Sequence, residues 1–277
     1  MSRPERIRIA HLADPHFGCE DAEAAEAALG AVAALRPDLV VVAGDLTYEG
    51  RAREFLAASA WLARLPRPQI VTPGNHDTPV WNLALRLFAP FSRFRAHVGL
   101  PCGEVAAPGL LALSLNTARG IQPRLDWSKG VVGLKEARRI VAAMAGAGDA
   151  LKVLVCHHPL VEPAQGGVTG GVRRGAAAAR MFAEGGVDLV LSGHVHEPFA
   201  RPLPWGDGLS LSVGAGTLSR RTRGTPPCFT VIDAGRATIE TRLEQWSGSA
   251  FVDAGTKVFH RRPAQPQNAA SSVRDAP

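Results

Sequence analysis

Five short apolar runs in this chain each end in Asp, Asn or His, and helix-forming stretches separate most of them. Ile7-Arg8-Ile9-Ala10-His11-Leu12 runs into Asp14 and His16, Leu39-Val40-Val41-Val42 into Gly44-Asp45, and Ile70-Val71-Thr72 into Gly74-Asn75-His76-Asp77. Residues 151–156 run into His157-His158, and residues 187–191 into Gly193-His194-Val195-His196. Apolar runs of this length without alternation read as strands buried on both faces. Residues 20–35 are alanine-rich with Leu29, Val32 and Leu35 as apolar positions, and Pro37 stops them as a helix. Further helices are expected over 51–65, over 81–98 with a break at Pro90, over 135–145 and over 173–184. Strand–helix alternation of this kind requires a parallel sheet covered by helices. A strand is also expected over 110–115. Those over 209–213, 228–232 and 237–242 have no helices between them and suit a second sheet packed on the first. From Arg261 the chain is polar and rich in Pro, Ala, Gln and Ser. The expected organisation is therefore a domain over 1–260 and a disordered tail over 261–277.

Composition narrows the class. With 277 residues, 46% of them hydrophobic and 20% charged, the chain is neither disordered nor fibrous. No apolar run approaches the roughly 20 residues of a membrane-spanning helix, and the first eight residues pass from charges straight into a strand-like run. These features point to a cytoplasmic protein with no membrane partner. Cys19, Cys102, Cys156 and Cys228 are widely spaced without a CxxC pair, which fits buried thiols better than a zinc or disulfide framework. The net charge of +6 comes from scattered arginines such as Arg173-Arg174, Arg220-Arg221 and Arg261-Arg262, without interleaved aromatics. That pattern fits a solvated surface and argues against nucleic acid as the partner.

One Asp-x-His or Gly-Asp pair is only a turn. Five such loops in succession, each at the C-terminal end of a buried strand, fall where open α/β sheets gather ligands. Two metal ions about 3.5–4 Å apart need a bridging carboxylate with nitrogen and oxygen ligands around it. Imidazole with carboxylate suits zinc, iron and manganese, and none of the motifs carries a thiolate that would mark a soft-metal site. His194 and His196, one residue apart, can reach neighbouring ions from one turn, with Gly193 relieving the crowding beneath.

In their order, Asp14-Pro15-His16, Gly44-Asp45, Gly74-Asn75-His76-Asp77, His157 and Gly193-His194-Val195-His196 resemble the calcineurin-like metallophosphoesterase superfamily, across roughly residues 6–233. The resemblance implies an α/β fold, a four-layer α-β-β-α sandwich of two mixed sheets flanked by helices. It also implies two metal ions per chain, iron or manganese foremost, with zinc, cobalt or nickel as alternatives. Asp14, His16 and His196 would hold the first ion, Asn75, His157 and His194 the second, and Asp45 would bridge them. A bridging hydroxide would attack phosphorus in line. His76 would act beyond the metals as leaving-group acid or phosphate clamp, with Asp77 either orienting it or stabilising its turn. His158, adjacent to His157 at a strand end, is expected to point the opposite way and to lie near the substrate. Tyr48 completes a Gly-Asp-x-x-Tyr run similar to that of purple acid phosphatases. Those enzymes lack a histidine where His16 stands, so Tyr48 is expected to pack beside the site.

Departures from other branches narrow the resemblance. Leu46-Thr47-Tyr48 replaces the Asp-Arg-Gly of protein phosphatases, His76 stands where the lipid A pathway pyrophosphatase has Arg, and there is no room for a nuclease capping domain. What remains resembles bacterial class III cyclic-nucleotide phosphodiesterases and glycerophosphodiesterases. Small-molecule phosphodiesters such as 3′,5′-cyclic nucleotides are the implied substrates. A phosphomonoesterase or nucleotidase, a nuclease and a non-catalytic scaffold are the alternatives, and a homodimer stays open. Substrate choice is expected from two loops. One is 162–174, glycine-rich and ending in Arg173 and Arg174. The other is 78–100 with Trp81, Phe88, Phe91 and Phe94, aromatics whose spacing also fits a core.

Overall fold

Unbroken apolar strands need cover on both faces, and the computed structural model, which describes residues 5–162 and 171–263, supplies it with two facing sheets. The first unit runs β1 (Ile7–Leu12), α1 (Ala22–Leu35), β2 (Leu39–Ala43), α2 (Ala52–Leu62) and β3 (Gln69–Thr72). Two short helices follow, α3 (Leu83–Phe88) and α4 (Ser92–His97), separated at Pro90 as expected. The second unit is β4 (Glu104–Ala107), β5 (Leu110–Leu115), α5 (Leu134–Ala145), β6 (Leu151–Cys156), α6 (Gly175–Glu184), β7 (Leu189–Ser192), β8 (Phe199–Pro202) and β9 (Leu211–Gly214). The chain closes with β10 (Cys228–Ala234), β11 (Thr238–Trp246) and β12 (Phe251–His260).

The sheets have the orders β12-β11-β10-β1-β2-β3 and β4-β5-β6-β7-β9-β8. Both are mixed: β1, β2 and β3 run parallel, as do β5, β6, β7 and β9, and the remaining pairings are antiparallel. Between the sheets, Ile9, Val41, Ile70 and Ile232 share one core with Val153, Leu191 and Val213. Outside the first sheet, Leu29 and Val32 of α1 and Phe55 and Trp61 of α2 cover Leu12, Val40 and Val42. Outside the second, Ile140 and Met144 of α5 and Phe182 of α6 cover Leu154 and Val190. Helix, sheet, sheet and helix give the four layers that the sequence implied.

The expected origin of the second sheet needs correcting. The late strands do not build it alone: β10 lies antiparallel to β1, with Ile7 opposite Ala234, and carries β11 and β12 onto the first sheet. Beside β1 it pairs backbone groups that would otherwise form an open edge, and Arg8 clamps the joint through a two-pronged contact with Asp233 at 2.8 and 3.0 Å. The chain had crossed to the second sheet long before, at β4. Three strands escaped the sequence reading for reasons of length and polarity. β4 and β8 have four residues each, and β12 is exposed along most of its length.

Arg261 and Arg262, where the tail was expected to start, are still attached. Arg261 donates from its backbone to Ala237 O at 2.8 Å and from Nη1 to Gly235 O at 2.8 Å, and Arg262 pairs with Asp207 at 2.6 Å. The rest of the expected tail, 264–277, lies outside the described residues. Among the described residues no helix is long and apolar enough to cross a membrane.

Candidate metal centre

The five motif loops meet where the C-terminal ends of β1, β2 and β3 face those of β6 and β7, so the residues come from two opposed sheets instead of one edge. The backbone there is unusual. Seven described non-glycine residues have positive φ, and five of them are candidate ligands: Asp14 (54°), His16 (46°), Asp45 (48°), His194 (69°) and His196 (58°). A left-handed conformation costs an L-residue about 1–2 kcal/mol, so it persists only where neighbours enforce it. Here Asp14 N donates to Gly44 O and His16 N to Asp45 O, both at 3.0 Å, while Thr217 Oγ1 donates to Asp14 O at 2.6 Å. Close approach explains two of the motif glycines. A Cβ on Gly193 would lie 2.4 Å from Asp14 Oδ2, and one on Gly74 would lie 2.1 Å from Asp45 Oδ1.

The side chains form two adjoining groups. In one, His16 Nε2 and His196 Nε2 are 3.1 Å apart, and Asp14 Oδ1 is 3.5 Å from His196 Nε2. In the other, His157 Nε2 lies 3.2 Å from Asn75 Oδ1, with the His194 ring centred 5.1 Å from that of His157. Asp45 Oδ2 reaches both, 3.7 Å from His16 Nε2 and 3.4 Å from His157 Nε2. All seven residues are buried.

Backbone carbonyls decide which nitrogens face inward. Nδ1 of His16 meets Thr47 O at 3.2 Å, Nδ1 of His157 meets Ala43 O at 2.8 Å, and Nδ1 of His196 meets Arg221 O at 2.6 Å. A carbonyl accepts only, so each Nδ1 carries a proton and each ring turns its Nε2 into the site. Burial holds the His16 and His194 imidazoles well below their ordinary range. It pulls on His157 in the same sense, but Asp45 and Asp14 outweigh it and push that imidazole up to about 9. Despite its own burial, Asp45 is held well below the usual carboxylate range, His157 being the main cause.

Two facing lone pairs at 3.1 Å cannot satisfy one another, and buried Asp14 Oδ1 has no hydrogen-bond partner among the described residues. Polar groups left in this condition are costly unless a cation joins them. Asp14, His16 and His196 form one group able to hold an ion, Asp14, Asp45 and His157 another. The nitrogen and oxygen donor set therefore fits metal ions.

The other expected residues fall in three places. His76 sits at the partly open mouth, with Nδ1 2.6 Å from Tyr48 O, its ring stacked on Tyr48 at 5.9 Å and edge-on to His16 at 4.8 Å. Asp77 was expected to orient His76 or to stabilise its turn. Its buried carboxylate accepts from Thr47 N (2.9 Å), Thr47 Oγ1 (2.9 Å), Gly74 N (2.8 Å) and Leu46 N (3.2 Å), tying two motif loops together. His158 does not diverge from His157 as strand alternation would require. β6 ends at Cys156, and the two rings meet at 81° with centroids 4.7 Å apart. His158 lies within reach of His157 and His194. It is fully buried, with Nδ1 2.8 Å from Thr117 Oγ1 and Nε2 2.7 Å from Ser128 O. Arg173 and Arg174 are exposed at the head of α6. Of the expected substrate loop 162–174, residues 163–170 lie outside the described residues.

One residue at the mouth was read from the sequence as solvated surface. Arg221 Nη1 lies 3.0 Å from His76 Nε2 and 3.4 Å from His16 Nε2, with its guanidinium 5.5 Å from the Tyr48 ring centre. It follows β9, whose parallel pairing with β7 brings its loop to the same end of the sheet as the motifs. That pairing was the missing signal.

A family model described as calcineurin-like phosphoesterase matches residues 7–198. The chain is 27% identical over 227 residues to a probable cyclic nucleotide phosphodiesterase of Synechococcus sp., covering 75% of this chain and 79% of that protein. It is 38% identical over 82 residues to the glycerophosphodiester phosphodiesterase GpdQ of Enterobacter lignolyticus, covering 25% of this chain and 29% of that one. Among solved structures, purple acid phosphatase PPD1 from yellow lupin shares the fold with a TM-score of 0.64 at 14% identity, over 92% of this chain and 54% of that one.

Gly193→Ala tests the tight contact under the site. We expect a folded protein by circular dichroism whose manganese affinity, measured by titration calorimetry, is weaker by about tenfold or more, the range seen when ligand support is disturbed. Unchanged affinity would show that Asp14 can yield to the added methyl.

Proposed function

The chain belongs to the calcineurin-like phosphoesterase family, and from that premise we propose that it is a two-metal phosphohydrolase preferring small-molecule phosphodiesters. The observation that carries this reading is the position of Asp45, one carboxylate oxygen within 3.7 Å of both His16 Nε2 and His157 Nε2. Asp14, His16 and His196 would hold one ion, Asn75, His157 and His194 the other, with Asp45 between them. Such a pair supplies nucleophile activation and charge stabilisation at phosphorus. The donor set suits iron or manganese, with zinc, cobalt and nickel able to use the same ligands.

The chain's own contribution lies at the mouth. The contact with Tyr48 O keeps a proton on Nδ1 of His76, so its Nε2 accepts from Arg221 Nη1. A phosphoryl oxygen entering here would take over that N–H of Arg221. His76 Nε2, released from Arg221 and protonated from solvent, would then give that proton to the departing oxygen while the Nδ1 proton stays directed at Tyr48 O. One guanidinium beside one imidazole matches the single negative charge of a phosphodiester better than the two charges of a monoester. The two relatives, a probable cyclic nucleotide phosphodiesterase and a glycerophosphodiester phosphodiesterase, support the same preference.

With manganese added after chelator stripping, we expect faster hydrolysis of bis(p-nitrophenyl) phosphate than of p-nitrophenyl phosphate. The reverse order would indicate a phosphomonoesterase, and inactivity with every metal would indicate a scaffold. Asp45→Asn should fold normally, since Asn tolerates left-handed backbone, yet retain less than one manganese per chain after dialysis by elemental analysis. Retention of two ions would remove Asp45 from the bridging position. Arg221→Ala should raise KM with kcat changed less, and His76→Ala should lower kcat by about 10²-fold or more without loss of metal. The opposite split would exchange their roles.

A further inference from the structure

Arg221 stands half-buried at the mouth without a carboxylate. Among the described residues it makes no ion pair, and its guanidinium meets three rings instead. Nη1 lies 3.0 Å from His76 Nε2 and 3.4 Å from His16 Nε2, and the guanidinium carbon lies 5.5 Å from the Tyr48 ring centre. A cation withdrawn from water ordinarily finds an acidic partner. Both imidazoles have other claims on them: His16 Nε2 faces into the candidate metal centre, and His76 Nε2 is the proton carrier proposed above. Once those claims are met, Tyr48 is the one contact of the three that can still hold Arg221.

The Tyr48 backbone is pinned at both of its polar groups. Its N donates to Phe17 O at 3.1 Å, and its carbonyl accepts from His76 Nδ1 at 2.6 Å. The ring lies nearly parallel to that of His76, at 12° with centroids 5.9 Å apart, and edge-on to His16 at 6.3 Å. It is 36% exposed, and its hydroxyl makes no hydrogen bond among the described residues. What it offers Arg221 is therefore the ring, whose π-electrons attract a cation. A ring differs from a carboxylate in two ways that matter at this mouth. It attracts the guanidinium without claiming an N–H, so the donors stay available to an incoming oxygen. It also brings no negative charge, and so does not repel an anionic ester.

We infer that Tyr48 is a positioning residue for the phosphoryl group, acting through Arg221. Its ring holds the guanidinium at the mouth while a phosphoryl oxygen takes the N–H now directed at His76 Nε2. This role rests on the reading of Arg221 given above and goes beyond it in naming what aims the arginine. It belongs to the aromatic ring and not to the hydroxyl.

The test uses the full chain loaded with zinc, with dimethyl phosphate and inorganic phosphate as probes whose binding is read by titration calorimetry. Tyr48→Leu should weaken dimethyl phosphate binding by about fivefold or more, and Tyr48→Phe, which keeps the ring, should restore it. With Arg221→Ala already present, Tyr48→Leu should cost nothing further, because the two side chains act as one. In turnover Tyr48→Leu should raise KM with kcat near that of the parent. Tyr48 is the only tyrosine of the chain, so ring-labelled tyrosine gives one set of NMR signals. These should shift when dimethyl phosphate is added to the parent and stay still in Arg221→Ala, and they carry the test if Tyr48→Leu fails to fold. Equal losses in Tyr48→Phe and Tyr48→Leu would assign the effect to the hydroxyl, and additive losses with Arg221→Ala would separate ring from arginine. A fall in kcat at unchanged affinity would assign the ring to His76. Each of these results overturns the proposal, as would a parent that binds neither probe or whose tyrosine signals do not respond. Binding needs no turnover, so failure of the hydrolase reading shows separately, as a protein that binds the probes and hydrolyses no ester.

Discussion

Buried acceptors that face one another without a donor between them are the constraint on which this molecule depends. Asp14 Oδ1 has no hydrogen-bond partner among the described residues, and beside it the inward Nε2 atoms of His16 and His196 face one another at 3.1 Å. Such an arrangement survives only if the surrounding fold is stable enough to hold it and if a cation relieves it. The three hydrophobic layers provide the first condition. The donor set provides for the second.

The support around that cluster is mostly main chain. Carbonyls of Ala43, Thr47 and Arg221 fix the histidine tautomers, and a carbonyl of Tyr48 does the same for His76. Side chains take over where two loops must be joined: Asp77 does so for the second and third motifs, and Thr117 holds His158 behind the site. Carbonyl anchors leave the imidazoles little choice of orientation, and the left-handed residues at 14, 16, 45, 194 and 196 are what this aim requires of the backbone. Strain and orientation are two aspects of one design.

Much of this was legible beforehand. Unbroken runs such as Leu39-Val40-Val41-Val42 announced buried strands, and the Asp, Asn and His residues after them announced a shared site. Which sheet each run would join was not legible, because pairing between β1 and β10 spans more than two hundred residues and rests on which edge remains open. The role of Arg221 was hidden for the same reason, and that of Asp77 because a carboxylate beside a histidine gives no sign of which way it turns. The orientation of α3 ran against its own composition: LALRLF reads as a helix burying its leucines, whereas Arg86 turns inward to the carbonyls of Pro79 and Gly120 and to the Trp127 ring.

The pairing of His16 with His196 has a consequence for how the chain is born. These residues are separated by 180 positions and by four of the six strands of the second sheet. Contacts so distant in sequence form slowly, since the loop between them must close first. A ribosome that has released the chain only through β3 and the loop after it has delivered Asp14, His16, Asp45, Asn75 and His76, but not His157, His194 or His196. The groups that use His157, His194 or His196 are therefore completed only late in synthesis. An ion bound there would meet a protein already shaped to receive it.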